Sequence, residues 1–155
     1  MTVSILTNKT TNQEFLDFIV DEIHNAVVST VNKDNGPSAQ VCDMLMNKDG
    51  KLYMTTSSKN HPFYDDLNNA TYILINGYKG DGTMDSCGFS MKAAIKNVGH
   101  EYMDEVWEKN PYLNEIYKDN IAGAKEELRI FEITPISAGY LDHRTDPIFM
   151  RKFEF

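Results

Sequence analysis

Seven consecutive residues, Thr55-Thr56-Ser57-Ser58-Lys59-Asn60-His61, concentrate four hydroxyls, one permanent cation, one amide and one imidazole. Donors of this kind gathered in a short turn suit an anion, and a phosphate monoester above all. The stretch lies between a strand pattern, Lys51–Thr56, and a helix signal, Pro62–Asn69. A helix N-terminus leaves backbone N–H groups without intrahelical partners and carries a partial positive charge. That combination makes a ready anion site, to which Lys59 adds its charge. The plainer alternative is a cap: Ser, Thr and Asn are also what helix starts and turns prefer. No Gly-rich phosphate loop accompanies them.

Other chemistry is thin. The four histidines, His24, His61, His100 and His143, do not stand at ligand spacing, and no HExxH occurs, so no metal site is expected. A serine nucleophile would need a base and an orienter, and no catalytic residue is assigned. Gly80-Asp81-Gly82 is a lone turn signal. Asp65 and Asp66 read as solvated helix charges. Cys42 and Cys87 are too few for a disulfide framework and match no zinc spacing. They read as free thiols in a reducing cytosol, so a cytoplasmic protein is expected. Met1–Thr11 lacks a basic stretch followed by an apolar run, the pattern of a secretory signal. The net charge of −8, with no Lys/Arg cluster, disfavours nucleic acid and anionic membrane surfaces as partners.

The elements that would hold the polar turn follow from patterning. With 155 residues, 41% hydrophobic and 25% charged, the chain is long enough for one domain over residues 1–155 with a core of its own. Thr11 and Glu14 form a capping-box pair. Phe15, Phe18, Ile19 and Ile23 then mark the apolar face of a helix reaching His24. Ala26–Val31, Ser38–Met46 and Lys51–Thr56 read as three strands of an antiparallel meander, the last two joined by Asn47-Lys48-Asp49-Gly50. Thr71–Asn76 and Ser86–Asn97 are further strands around a Gly-rich loop at Gly77–Asp85. Helices are expected at Glu101–Asn110 and Pro111–Tyr117. Arg129–Thr134 and Ser137–Leu141 read as strands broken at Pro135. The apolar tail residues Ile148, Phe149, Phe153 and Phe155 should dock. Six or seven strands on short connections predict a closed, mainly β sheet with flanking helices, an α+β chain.

Four stretches in this order resemble the pyridoxamine 5′-phosphate oxidase-like family of FMN-binding split barrels. They are Gly36-Pro37-Ser38-Ala39-Gln40-Val41; Gly50–Thr56 with its polar turn and Phe63-Tyr64-Asp65-Asp66-Leu67; Asn69–Ile73; and Phe89-Ser90-Met91-Lys92-Ala93-Ala94. Trp107–Leu113 looks like the helix and turn that follow in the family. The resemblance implies an antiparallel split β-barrel and a homodimer with FMN at the subunit interface. It matches Gln40 to a position often occupied by Arg, which helps hold the flavin, and runs Val41 and Cys42 beside the ring. Thr55 and Thr56 match strand-end positions that touch the flavin, and Ser57 and Ser58 continue that turn. Lys59, Asn60 and His61 match the phosphate-holding positions. Arg144 and Arg151 are the C-terminal cations available for substrate.

Under that resemblance the leading expectation is an FMN-dependent oxidoreductase acting on a small organic substrate, with the flavin carrying the chemistry. A non-enzymatic module that binds a flavin or haem is the second. A structural barrel, in which the turn is only a cap, is the third.

Overall fold

The computed structural model describes residues 3–155. The capping box forms as the sequence predicts. The Thr11 hydroxyl accepts from the Glu14 N–H at 3.1 Å, and the Glu14 carboxylate accepts from the Thr11 N–H at 2.7 Å. Helix α1 (Asn12–Phe18) therefore starts where expected. It ends in a π-helical turn, Ile19–Ile23, closed by His24 at φ 63°. Phe15, Phe18, Ile19 and Ile23 are all buried.

Eight strands follow rather than six or seven: β1 (Asn25–Val31), β2 (Pro37–Asp43), β3 (Met46–Lys48), β4 (Lys51–Ser57), β5 (Tyr72–Gly80), β6 (Ser86–Gly99), β7 (Leu128–Asp142) and β8 (Phe149–Glu154). The helices are α2 (Phe63–Asn69), α3 (Met103–Lys109), α4 (Leu113–Ile116) and α5 (Ile121–Glu127). All pairings are antiparallel, in the order β2-β1-β5-β6-β7-β4-β3, and β8 pairs with β7. The architecture is an antiparallel split barrel, as the resemblance implies.

Four expectations are corrected. The first three strands do not form a meander, because β1 pairs with β2 and β5 while β4 pairs with β3 and β7. The chain leaves the ladder at Met44-Leu45, which splits the run expected as one strand, Ser38–Met46. Nor does the sheet close: β2 approaches β4 without a hydrogen-bonded ladder. Finally, Pro135 does not break β7. It stands where the β6–β7 register shifts between Lys92 and Ala93, an irregularity that accommodates a residue without an N–H. Beyond it β7 exchanges β4 for β8 as its second neighbour.

Local signals held where turn chemistry dictated them. Asp49 (φ 51°) and Gly50 (φ 76°) are the two loop residues between Lys48 and Lys51, which is the hairpin that left-handed Asp-Gly favours. The loop expected at Gly77–Asp85 is shorter, because β5 runs on to Gly80 opposite Ser86. The tail docks as β8, where Phe153 stacks on Phe15 with centroids 4.1 Å apart.

Two apolar clusters sit on the sheet. The larger fills the barrel between α1, α2 and the inward faces of the strands, with Phe15, Leu16, Met54, Ile75 and Phe131 fully buried. The smaller packs Met103, Val106, Trp107 and Leu113 against Met46, Tyr53 and Ile130, under α3, α4 and α5. Residue Thr56 belongs to the barrel side of β4 and Ser57 to the other, since successive side chains alternate.

Candidate functional site

The polar turn lies at the split. Across the gap between β2 and β4 the barrel is bridged by side chains. Gln40 Nε2 donates to Asn60 Oδ1 at 3.2 Å, and Asn60 Nδ2 donates to Gln40 Oε1 at 2.7 Å. Asn60 Nδ2 also donates to Thr56 Oγ1 at 3.1 Å. Two residues along β2, Ser38 Oγ donates to Asp66 Oδ2 at 2.6 Å. Asp66 is therefore buried and bonded, not a solvated helix charge.

Gln40 of β2, Thr56 of β4 and Asn60 of the turn thus meet at the split. Alternation decides the fate of their neighbours. Cys42 shares the inward side with Gln40 and is buried, whereas Val41 is 69% exposed on the outer face. Val41 and Cys42 therefore present their side chains to opposite sides of β2. Burial, and then the Asp43 carboxylate, push the Cys42 thiol up to about 12. It is protonated at neutral pH and offers no nucleophile. By the same alternation Thr55 and Thr56 face opposite sides of β4.

The rest of the turn gathers around a residue that the sequence reading missed. Ser57 Oγ donates to Glu127 Oε1, and Lys59 Nζ donates to Glu127 Oε2 at 2.8 Å. The Ser58 N–H donates to the Glu127 carbonyl at 3.1 Å. The other turn amides are also engaged: Lys59 N with Ser57 Oγ, Asn60 N with Ser57 O, and His61 N with Lys59 O. His61 Nδ1 lies 2.6 Å from Asp65 Oδ2. The expected array of open amides is thus a self-bonded turn. Helix α2 has no side-chain N-cap, and Pro62 rather than a serine holds that position.

Hydrogen bonding and charge couple Lys59 to Glu127 in both directions. The Glu127 bond raises the lysine above its ordinary value, and the Lys59 bond, with that of Ser57, lowers the carboxyl. Beside the pair runs a groove of about 750 Å³ lined by Ser57, Lys59, Tyr117, Asn120, Glu127 and Arg129, among others. No sequence pattern flags Glu127. It ends α5, an element absent from the periodicity reading, and lies 68 residues from Lys59.

Arg144 and Arg151 are both engaged within the fold. Arg144 binds Asp142 and the carbonyls of Val3 and Ser4, and Arg151 binds the carbonyls of Thr7 and Thr10. Both strap the N-terminal segment to the sheet.

The donor set fits a phosphorylated flavin in kind: two amides, hydroxyls and one ammonium at the mouth of a split. Glu127 is the acidic group that the ammonium meets.

No family model matches the sequence, and no curated protein matches it. Solved structures do. A Clostridium acetobutylicum protein related to general stress protein 26 of B. subtilis, of the pyridoxinephosphate oxidase family, superposes with TM-score 0.67 at 15% identity, over 94% of this chain and 96% of that one. A pyridoxamine 5′-phosphate oxidase-related, FMN binding protein from Nostoc punctiforme gives 0.59 at 10% identity, over 97% of each chain. A heme binding protein from Mycobacterium smegmatis gives 0.68 at 8% identity, over 96% of this chain and 60% of that one. Fold is what likeness at such identities carries, and by fold this chain is a pyridoxamine 5′-phosphate oxidase-like split barrel.

Proposed function

We propose that the protein is a homodimeric FMN-dependent oxidoreductase acting on a small organic molecule, with the flavin seated at the split between β2 and β4. The observation that carries this reading is the convergence of Gln40, Thr56 and Asn60 at that split, with Lys59 and Ser57 on the same turn. When bound, the flavin supplies two-electron transfer at its ring. The chain supplies position and electrostatics. Gln40 and Asn60 present amide donors and acceptors to polar groups of the ligand. Lys59 meets the phosphate as a charged donor.

The test is spectroscopic. The purified protein, or protein titrated with FMN, should show flavin absorbance bands within roughly 300–550 nm. Protein that stays colourless and leaves FMN fluorescence unchanged contradicts the reading. Lys59→Ala should weaken FMN binding roughly tenfold while changing riboflavin little, since only FMN brings an anion for the ammonium to meet. Equal losses for the two would remove the phosphate from this turn.

The dimer has its own support. Val41, Val27, Leu74, Tyr78, Leu141 and Met150 are each more than a third exposed. Ladder register places them on one outer face: Val27 opposite Val41, Val27 opposite Asn76 between Leu74 and Tyr78, Tyr78 opposite Gly88, Gly88 opposite Leu141, and Leu141 opposite Met150. An apolar stripe across six strands is the kind of exposed face that marks an interaction site, and a two-fold copy would cover it with itself.

A binding module without turnover is the second reading. It is favoured by the closed turn and by the heme binding protein among the structures of the same fold. Cofactor binding without turnover of NADH, NADPH or nitro-compounds would select it.

A further inference from the structure

The turn already holds an anion, and the anion is its own. Three donors converge on Glu127: the Ser57 hydroxyl and the Lys59 ammonium on its two carboxylate oxygens, and the Ser58 N–H on its carbonyl. Hydroxyl, ammonium and adjacent amide are the donors that a phosphate monoester would use. Glu127 reaches them from the far end of α5, where the Leu128 carbonyl and those of Glu126 and Glu127 are bonded by Arg129. The helix end is therefore fixed independently of the carboxylate, which can swing away without unravelling it. Asp119 and Glu126 line the same groove as Lys59, Arg129 and Glu127, so its charged side chains carry no surplus positive charge to draw in a dianion.

We propose that Glu127 is a built-in competitor for the ligand's phosphate: its carboxylate occupies the phosphate position on Ser57 and Lys59 and sets the site's preference between FMN and a phosphate-free flavin. This rests on the flavin reading above. With Glu127 in place, an incoming phosphate must displace a carboxylate from Lys59 and then sit beside it. A ligand without phosphate leaves the Glu127 contacts intact. The pair Lys59–Glu127 is a specificity device: the lysine attracts the phosphate and the glutamate opposes it.

The test compares wild type with Glu127→Gln and Glu127→Ala by titrating FMN and riboflavin in parallel. Both substitutions should strengthen FMN roughly tenfold, the effect of removing one like charge at contact distance in a partly screened site. Riboflavin affinity should stay within about twofold. Equal changes for the two flavins, or no change for FMN, overturn the proposal while leaving the flavin reading standing. Neither flavin binding to any of the three proteins overturns the flavin reading instead. Inorganic phosphate separates the cases further. Its addition should raise the melting temperature of both variants but not of wild type, and a wild type stabilised as much as the variants would refute competition at this turn whatever the flavin does. The conservative Glu127→Gln keeps the shape of the side chain, so a fold defect in Glu127→Ala does not leave the question open.

Discussion

Arg144→Met is expected to cost about 3–5 kcal/mol of folding stability near neutral pH, the range for breaking a buried ion pair from one side. Asp142 is fully buried. Its carboxylate receives Arg144 Nε at 2.9 Å, Arg144 Nη2 at 2.7 Å, the Arg144 N–H at 3.0 Å and the Tyr140 hydroxyl at 2.7 Å. Methionine fills the space of the stem but leaves the charge without its partner. It also releases the Val3 and Ser4 carbonyls, at 2.6 and 2.9 Å from the guanidinium. The N-terminal segment should then loosen along with the core.

The sign of the pH dependence follows from the carboxyl. Burial works to raise the Asp142 pKa, but the hydrogen bonds from Arg144 and Tyr140 outweigh it and hold it below the ordinary value. In wild type the ionised group therefore stabilises the native chain above its unfolded pKa of about 3.9, and that stabilisation is lost as pH falls through the lower folded value. Without the guanidinium only the Tyr140 hydroxyl and the residue-144 N–H still oppose burial, so the Asp142 pKa should rise and the variant should recover part of its deficit once acid neutralises the carboxylate. Urea unfolding at about pH 7 and about pH 4.5 should show the gap between the two proteins narrowing on acidification. A loss of less than about 1 kcal/mol at neutral pH would show the pair to be dispensable.

The second large effect concerns assembly. Leu74→Asp should raise the dimer dissociation constant by about a hundredfold or more. Burying a leucine is worth about 1.5–3 kcal/mol, and two-fold symmetry counts the substitution twice. An aspartate facing its own copy adds the cost of a desolvated like-charge pair. The monomer should fold normally, because Leu74 is 43% exposed and its register neighbour on β6 is Lys92. Sedimentation at micromolar concentration checks both halves: wild type as a dimer, the variant as a monomer with an unchanged far-ultraviolet spectrum. Flavin binding should fall with the dimer, since Val41, beside Gln40 at the split, lies on the same outer face as Leu74. A variant that remains dimeric would place the interface elsewhere.

Much of the local structure was legible because it depends on neighbours in sequence. The Thr11–Glu14 capping box, the Asp49-Gly50 hairpin and the apolar face of α1 each follow from backbone groups within a few residues of the side chain that satisfies them. The ordered resemblance carried the split-barrel fold. The polar turn, too, could be located, since its composition is local.

What the turn does with its donors is a different matter. Lys59 read as a charge waiting for a phosphate, yet it meets Glu127 from α5. Arg144 and Arg151 read as cations open to substrate, yet they hold carbonyls of residues 3–10. Val41 and Cys42 read as one wall, yet the pleat sends them to opposite faces, and β2 pairs with β1 rather than with the strand nearest in chain order on its other side. The residue types alone determined which chemistry is available here: hydroxyls, amides and one lysine at a strand end, suited to an anion. Only the tertiary structure decided which of those groups face one another and which are already satisfied. A charge's partner is chosen by distance in space, and the 68 residues between Lys59 and Glu127 leave no periodicity by which sequence could record that meeting.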